Sequence, residues 1–144
     1  MKVLLFIFSY ILFFHGCEDS TSVEPDITRW KWELQSVTSD NKTLCPQKSD
    51  YMLDNAYLLE FESDSTFWLN TSVNGAGCYY TIIKYGVISI SNYHEFTAVA
   101  ASDPYETELN DSLISVFNKV TTYKVISDTL HFKGKDCEVT FKKE

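Results

Sequence analysis

The stretch that decides the fold runs from Asp103 to Phe141 and reads DPYETELNDSLISVFNKVTTYKVISDTLHFKGKDCEVTF. It opens with a strong helix start, because Asp103 can accept hydrogen bonds from free amide groups of the first turn and Pro104 has no amide hydrogen to leave unpaired. Glu106 completes a capping box. An apolar stripe with helical spacing follows, formed by Leu109, Leu113, Val116, Phe117 and Val120. The pattern predicts one helix over about residues 104–118, with one face packed on a sheet.

Three short strands are predicted after this helix. Apolar side chains alternate with polar ones in each strand, which is the two-residue period of a half-buried strand. The inward positions are Tyr123 and Val125, then Leu130 and Phe132, and finally Cys137, Val139 and Phe141. Polar turns at residues 127–128 and 134–136 separate the strands, so hairpin connections are expected.

The chain ahead of the helix begins with one clear strand and one long segment without a period. Strict alternation predicts a first strand in which Trp30 and Trp32 face the core. Residues 38–55 then show no convincing period, and a loop of this length in a compact domain is unusual. Tyr51 and Met52 in this loop are predicted either to cover an open end of the fold or to form part of a contact surface.

Two hairpins are predicted between this loop and the helix. Residues 57–71 form the first hairpin, in which Trp68 faces outward as a candidate contact, and residues 78–83 pair with residues 87–91 in the second. Residues 74–77 are predicted to be a flexible loop between them. The fold class is therefore α+β, a mostly antiparallel curved sheet or partial β-barrel of about eight strands with one helix before the last three strands.

The first residues have the layout of an export signal. Lys2 precedes an apolar run at residues 3–14, and a polar segment begins after Cys17. The run is too short to span the roughly 30 Å of bilayer hydrocarbon, since a helix rises about 1.5 Å per residue. Gly16 and Cys17 resemble the end of a bacterial lipobox, in which the cysteine thiol receives a diacylglycerol. An ordinary secreted protein with a cysteine near its start is the alternative.

This interpretation divides the chain into a lipoprotein signal peptide at residues 1–16, a polar tether at residues 17–27 and one β-rich domain at residues 28–144. Removing the signal from the 144 residues leaves 128, enough for one domain with a proper core. They include 11 basic and 20 acidic residues, a net charge of −9. A field of that sign repels phosphate backbones, which argues against nucleic acid as a partner.

The cysteine count predicts one disulfide. Cys45, Cys78 and Cys137 remain once Cys17 is lipidated, and an exported chain meets an oxidising compartment. A bridge from Cys45 to Cys137 or to Cys78 is expected, with little preference between the two. If Cys17 is not lipidated, four cysteines allow two bridges. No Cys-x-x-Cys pair and no Cys/His cluster at zinc spacing occurs, so neither a metal nor another cofactor is expected.

Three spaced motifs carry a family resemblance. They are Phe117-x-x-Val120-x-x-Tyr123-x-x-x-x-Asp128-x-Leu130-x-Phe132, the segment Thr97 to Ala101, and Asn74 with Tyr80. Taken together, in their order along the chain, these motifs resemble the META domain, or HslJ-like, family over about residues 28–142. The sequence departs from the family pattern where Cys78 replaces a loop glycine and Asn110 replaces a glutamate near the helix start. The resemblance implies a small α+β fold, common in envelope lipoproteins, without an established catalytic activity.

The sequence gives no sign of catalysis. The histidines of the mature chain, His94 and His131, are not spaced to act together, and no G-x-S-x-G elbow occurs. The first hypothesis is therefore a membrane-anchored lipoprotein of the bacterial outer membrane that maintains the envelope or contacts an envelope protein. The alternative is a lipocalin-like carrier of a small apolar ligand. A lined cavity of roughly 300 Å³ or more favours the carrier, and a filled interior favours the interaction module.

Overall fold

The computed structural model describes residues 26–47, 54–62, 65–72, 74–95 and 103–144, and of residues 93–95 it describes the backbone alone. The predicted signal peptide and the predicted lipidation site, Cys17, lie outside these ranges. So do Tyr51 and Met52, the candidate contact residues of the long loop.

A short 3-10 helix precedes the strands, and one α-helix interrupts them. The described elements are the 3-10 helix Ile27–Arg29, β1 Lys31–Ser39, β2 Lys42–Leu44, β3 Leu58–Phe61, β4 Thr66–Asn70, β5 Gly75–Lys84, β6 Val87–Glu95, α1 Pro104–Phe117, β7 Val120–Ile126, β8 Thr129–Gly134 and β9 Cys137–Lys143. The helix therefore precedes the last three strands, as the sequence predicts.

Eight of these strands close into an antiparallel β-barrel. The order around the barrel is β1, β3, β4, β5, β6, β7, β8 and β9, and β9 pairs back onto β1. This closing seam runs from Trp32 opposite Lys143 to Ser39 opposite Cys137. The extra strand β2 pairs with the C-terminal part of β1, on the edge whose N-terminal part pairs with β3. The predicted fold class is confirmed, and the barrel is closed.

Neighbouring strands run in opposite directions, so the connections between strands alternate between the two ends of the barrel. The segment 26–30 and the connections β3–β4, β5–β6 and β7–β8 lie at one end, which we call the N-terminal end. The β1–β2, β4–β5 and β8–β9 connections lie at the other end, where α1 leads into β7. We call this the helix end. The helix packs against β1, β6 and β9.

Aromatic side chains fill the middle of the barrel. The largest buried residues include Trp32, Phe67, Phe117, Phe132 and Phe141, none of them more than 2% exposed. Phe117 ends α1, and its ring centroid lies 5.4 Å from that of Phe67 and 6.1 Å from that of Phe132. Full burial of one such side chain stabilises the fold by about 1.5–3 kcal/mol. The helix is therefore held by its last residue, inserted among the strands.

The helix forms where the sequence predicts it. Oδ1 of Asp103 accepts a hydrogen bond from the Tyr105 amide at 2.8 Å, and Pro104 lies in the first turn. The stripe residues Leu109, Leu113, Val116 and Phe117 are completely buried. Val120, predicted to continue the stripe, instead begins β7. No helix in the described residues is both long and apolar enough to cross a membrane.

The first tryptophan lies outside the barrel, so its predicted inward orientation is wrong. Ile27–Arg29 forms a 3-10 turn, and Trp30 lies in the bend between this turn and β1. Trp30 is 44% exposed, and Nζ of Lys143 lies 2.9 Å from its ring centroid. Trp32 does face the core, where its Nε1 donates a hydrogen bond to the Ile27 carbonyl at 2.8 Å.

Two predicted loops contain strands. Within the predicted loop 38–55, residues 38–44 complete β1, turn at Asp40 and Asn41, and form β2. The two turn residues have φ angles of 51° and 65°, which aspartate and asparagine tolerate better than most side chains and which tight hairpin turns use. Within the second predicted loop, residues 75–77 begin β5 and pair with β4. These residues are Gly-Ala-Gly, whose small side chains give no alternation of apolar and polar residues, so the strand could not be recognised from hydrophobicity.

Candidate functional site

The three cysteines of the domain are free thiols, so the predicted bridge from Cys45 to Cys137 or Cys78 is not formed. Cys45 follows β2 and Cys137 begins β9, and these strands lie on opposite edges of β1. Two strand spacings amount to about 9–10 Å, more than the roughly 7 Å that a disulfide allows between Cα atoms. Cys78 is buried in β5, and burial raises the pKa of its thiol far above the usual value.

The predicted outward contact, Trp68, is half-buried in β4. It pairs with Glu60 on one side and Gly77 on the other. Together with Tyr79 it lines a shallow depression of about 220 Å³ on the barrel wall. This volume is below the roughly 300 Å³ from which small-molecule pockets begin.

A larger cleft lies at the helix end, between the β1–β2 hairpin and α1. It has a volume of about 570 Å³ and is open to solvent. Eight of its ten lining residues are polar or charged, and the full set is Ser39, Asp40, Lys42, Leu44, Pro104, Thr107, Glu108, Asp111, Ser112 and Ser115. We call it the helix-end cleft. Its hydroxyls and carboxylates suit a polar partner surface better than an apolar ligand.

Two contacts hold the walls of the helix-end cleft together. Lys42 on β2 forms an exposed ion pair with Glu108 on α1. The hydroxyl of Tyr105 accepts a hydrogen bond from the Cys45 amide at 3.0 Å and donates one to the Cys45 carbonyl at 2.9 Å. An exposed ion pair contributes about 0–1 kcal/mol, so the paired hydrogen bonds of Tyr105 are the firmer connection.

A second depression adjoins this cleft and shares Asp40 with it. It measures about 530 Å³ and lies between the β1–β2 and β8–β9 turns. Its acidic residues are Asp40, Asp136 and Glu138. Glu138 Oε1 lies 2.7 Å from Nδ1 of His131, so it already has a partner on β8. Within the described ranges, no group of three or more histidine, cysteine, aspartate or glutamate side chains is placed to hold a metal ion.

A set of buried polar groups lies between the β4–β5 connection and the first half of α1, and sequence reasoning missed it. The hydroxyls of Tyr57 and Ser72 and Oδ1 of Asn110 are buried without a hydrogen-bond partner. Burial raises the pKa of the Tyr57 phenol, the neighbouring Ser72 hydroxyl acts in the opposite direction, and the carboxylate of Glu106 raises the pKa further. The two hydroxyls are therefore close together, although their geometry falls short of a hydrogen bond. Such groups destabilise a fold unless satisfied, and an ordered water would be stabilising here.

Five exposed apolar side chains lie at the N-terminal end of the barrel, and we call them the apolar rim. The rim consists of Trp30, Ile82, Ile83, Tyr85 and Ile126, which are 44%, 36%, 65%, 54% and 50% exposed. Sequence reasoning missed this feature, because it assigned residues 78–83 to an ordinary barrel strand. The adjacent isoleucines Ile82 and Ile83 were the signal in the sequence that could have revealed it. A strand that packs one face against a core alternates apolar and polar residues, and two consecutive apolar residues break that alternation.

The fold defines the class of protein: a small closed antiparallel β-barrel with one helix inserted at one end. A solution structure of a protein from Burkholderia xenovorans is similar, with a TM-score of 0.62 and 14% identity, covering 80% of this chain and 81% of that one. A crystal structure of a DUF4847 family protein from Bacteroides vulgatus ATCC 8482 is also similar, with a TM-score of 0.54 and 16% identity, covering 83% of this chain and 96% of that one.

Comparison at the level of sequence adds no family. No protein-family model matches the chain, and no curated protein matches it. At 14% and 16% identity the two solved structures share the fold with this chain, and they carry no argument about its activity.

Proposed function

We propose that this chain is a bacterial envelope lipoprotein, anchored in the outer membrane through lipid on Cys17, whose barrel is not catalytic. The order of its first segments supports the anchor: a charged start, an apolar run, Gly16-Cys17 and then a polar tether. The resemblance to META domains supports the same location. The barrel then acts by maintaining the envelope or by contacting an envelope protein.

The packing around Phe117 is the observation that favours an interaction module over a lipocalin-like carrier. A carrier needs an apolar cavity in the middle of its barrel. Here the last turn of α1 places the ring of Phe117 in that position, against Phe67, Phe132 and Phe141. The ring occupies the volume that an apolar ligand would need, so we rank the carrier second.

The helix-end cleft is the surface that we assign to a partner protein. It is concave, and its lining combines the carboxylates of Asp40 and Asp111 with several hydroxyls. Carboxylates in such a surface complement lysine or arginine on a partner and steer its approach. The ion pair between Lys42 and Glu108 crosses the cleft and would exchange partners on binding.

The anchor is tested by growing cells that express the full chain with radioactive palmitate. We expect label on the wild type and none on Cys17→Ser. Cys45→Ser is the matched control and should keep the label, because Cys45 lies within the folded domain. An unlabelled wild-type chain would contradict the proposal.

The carrier is tested by titrating the purified mature chain with a fluorescent apolar probe. We expect no saturable binding to the wild type. Phe117→Ala is the informative variant, because removing this ring opens a cavity in the centre of the barrel. Saturable binding to the wild type at least as tight as binding to Phe117→Ala would favour the carrier instead.

A further inference from the structure

We propose that the N-terminal end of the barrel lies against the lipid surface, with the apolar rim in the headgroup region. The inference rests on the proposed lipid anchor and adds an orientation to it. Its direct consequence is that the helix-end cleft faces away from the membrane, where a partner can reach it.

The distribution of exposed apolar side chains supports this orientation. Six large apolar side chains are exposed in the described part of the chain, and the five of the apolar rim lie at the N-terminal end. The sixth, Tyr79, lies on β5 opposite Thr66, the first residue of β4, beside the β3–β4 connection. Tryptophan and tyrosine are the residues enriched at membrane interfaces, because they combine an apolar ring with a polar group.

The β5–β6 hairpin carries the most exposed part of the rim. Residues 81–84 are all exposed, so both faces of β5 leave the barrel wall there. The register between β5 and β6 shifts between Ile82 and Lys84, which bends the tip further. The ring of Tyr85 at the tip rests edge-on against Tyr123, with centroids 6.4 Å apart. The tip is thus a projecting apolar element that is held in place by the barrel.

The remaining two residues of the rim, Ile126 and Trp30, are linked through β8 and β9. Ile126 pairs with Thr129, which pairs in turn with Lys142 on β9. The next residue, Lys143, places its ammonium group over the ring of Trp30. Trp30, just before β1, and Ile126, at the end of β7, therefore lie at the same end of the barrel, with β8 and β9 between them.

Lysines accompany the apolar side chains of the rim. Lys84 is at the hairpin tip and Lys124 precedes Ile126 on β7, and both are exposed. Neither forms an ion pair within the described residues. A lysine can lay its apolar stem along a membrane interface while its ammonium group stays among phosphates. Exposed carboxylates lie at both ends, Asp40, Asp111 and Asp136 at the helix end and Asp26 and Asp128 at the N-terminal end, so the apolar side chains and not the charges distinguish the two ends.

The position of the tether favours the same end. The polar segment after Cys17 reaches the domain at Asp26, at the N-terminal end of the barrel. Nine residues extend to about 30 Å at most. A barrel strand of nine or ten residues is itself about 30 Å long. Barrel strands tilt by about 35–45°, so such a strand spans about 21–25 Å of barrel height. The helix end could touch the membrane only with most of the tether extended along the barrel, whereas the rim reaches it without extension.

The test measures which lysines the membrane protects. The mature chain with Cys45→Ser is coupled through Cys17 to a maleimide lipid in vesicles of phosphatidylcholine and phosphatidylglycerol, whose headgroups have no primary amine. An amine-reactive ester that does not cross membranes then labels exposed lysines, which are counted by mass spectrometry. Lys84 and Lys124 report on the rim, and Lys119 and Lys135 report on the helix end. The same chain without vesicles is the reference.

We expect vesicles to reduce labelling of Lys84 and Lys124 several-fold and to leave Lys119 and Lys135 unchanged. Ile83→Glu with Ile126→Glu should abolish this difference, whereas Thr107→Glu, an exposed substitution at the helix end, should keep it. Equal labelling of all four lysines on vesicles would overturn the proposal. Low labelling of Lys84 and Lys124 in the absence of vesicles would also overturn it, because a second copy of the chain would then cover the rim.

This experiment separates the two proposals. The maleimide lipid supplies the anchor chemically, so the lysine pattern reports on docking even if cells do not lipidate Cys17. The palmitate experiment reports on the anchor alone. Failure of one therefore leaves the outcome of the other interpretable.

Discussion

The ring of Phe117, the last residue of the helix, lies 5.4 Å from the ring of Phe67 on β4. This contact joins the helix to a strand that is far from it in sequence. Both side chains are fully buried. The helix therefore completes the interior of the barrel, and the ring of Phe117 is one of its central contacts.

Phe117→Ala is expected to lower the free energy of unfolding by about 3–5 kcal/mol, the usual cost of removing a buried phenylalanine ring. Urea unfolding followed by circular dichroism measures the change. Ile126→Ala is the matched control at an exposed position, and we expect it to change the free energy by no more than about 0.5 kcal/mol. Equal effects of the two substitutions would contradict the inserted position of Phe117.

Gly134→Ala is expected to destabilise the fold by about 1–3 kcal/mol, as overpacking does. A methyl group at this position would clash with the Lys119 carbonyl group and would lie 2.8 Å from Sγ of Cys137. At Gly75 the added methyl group would be 3.7 Å from Oδ1 of Asn70, an ordinary contact. Thermal unfolding of Gly134→Ala and Gly75→Ala should therefore show a clearly lower midpoint for the first.

Asp103→Ala removes the side chain that caps α1 and should cost about 1 kcal/mol of stability. The measurement is again urea unfolding. Asp111→Ala removes an exposed carboxylate from the middle of the same helix and serves as the control. If the control loses as much stability as Asp103→Ala, the cap is not the cause.

The thiols are expected to differ in reactivity. Cys45 is exposed, whereas Cys78 and Cys137 are buried. Burial raises the pKa of both buried thiols, so each has little of the reactive thiolate form. Iodoacetamide should alkylate Cys45 in the folded mature chain and the buried pair only after urea is added. Early alkylation of Cys78, detected by peptide mapping, would contradict its position in β5.

Stability is expected to decline at alkaline pH. The unfolded Cys78 thiol ionises near its ordinary pKa of about 8.5, while the folded thiol stays protonated to a much higher pH. Its contribution is thus fully present below about pH 8.5 and is lost as the pH rises towards the folded pKa, because only the unfolded state releases the proton. Urea unfolding across this range should show a smaller decline for Cys78→Ala than for the wild type. Equal declines would contradict the assignment.

The sequence by itself determined the elements whose signals are local. The cap at Asp103, the stripe from Leu109 to Phe117 and the alternation of the last three strands each depend on neighbouring residues alone. All of these elements are present in the structure. The hairpin of β3 and β4 was predicted for the same reason.

Only the tertiary structure decided the closure of the barrel and the surfaces of the protein. Pairing of β1 with β9 joins residues about a hundred positions apart, and no local pattern encodes it. Lys42 and Glu108 are likewise far apart in the sequence, and only the folded barrel brings them together across the helix-end cleft. Trp30 and Ile83 show the converse, since both are apolar and yet exposed. A residue's hydrophobicity predicts that burial is favourable, but the path of the backbone determines whether a buried position exists for it.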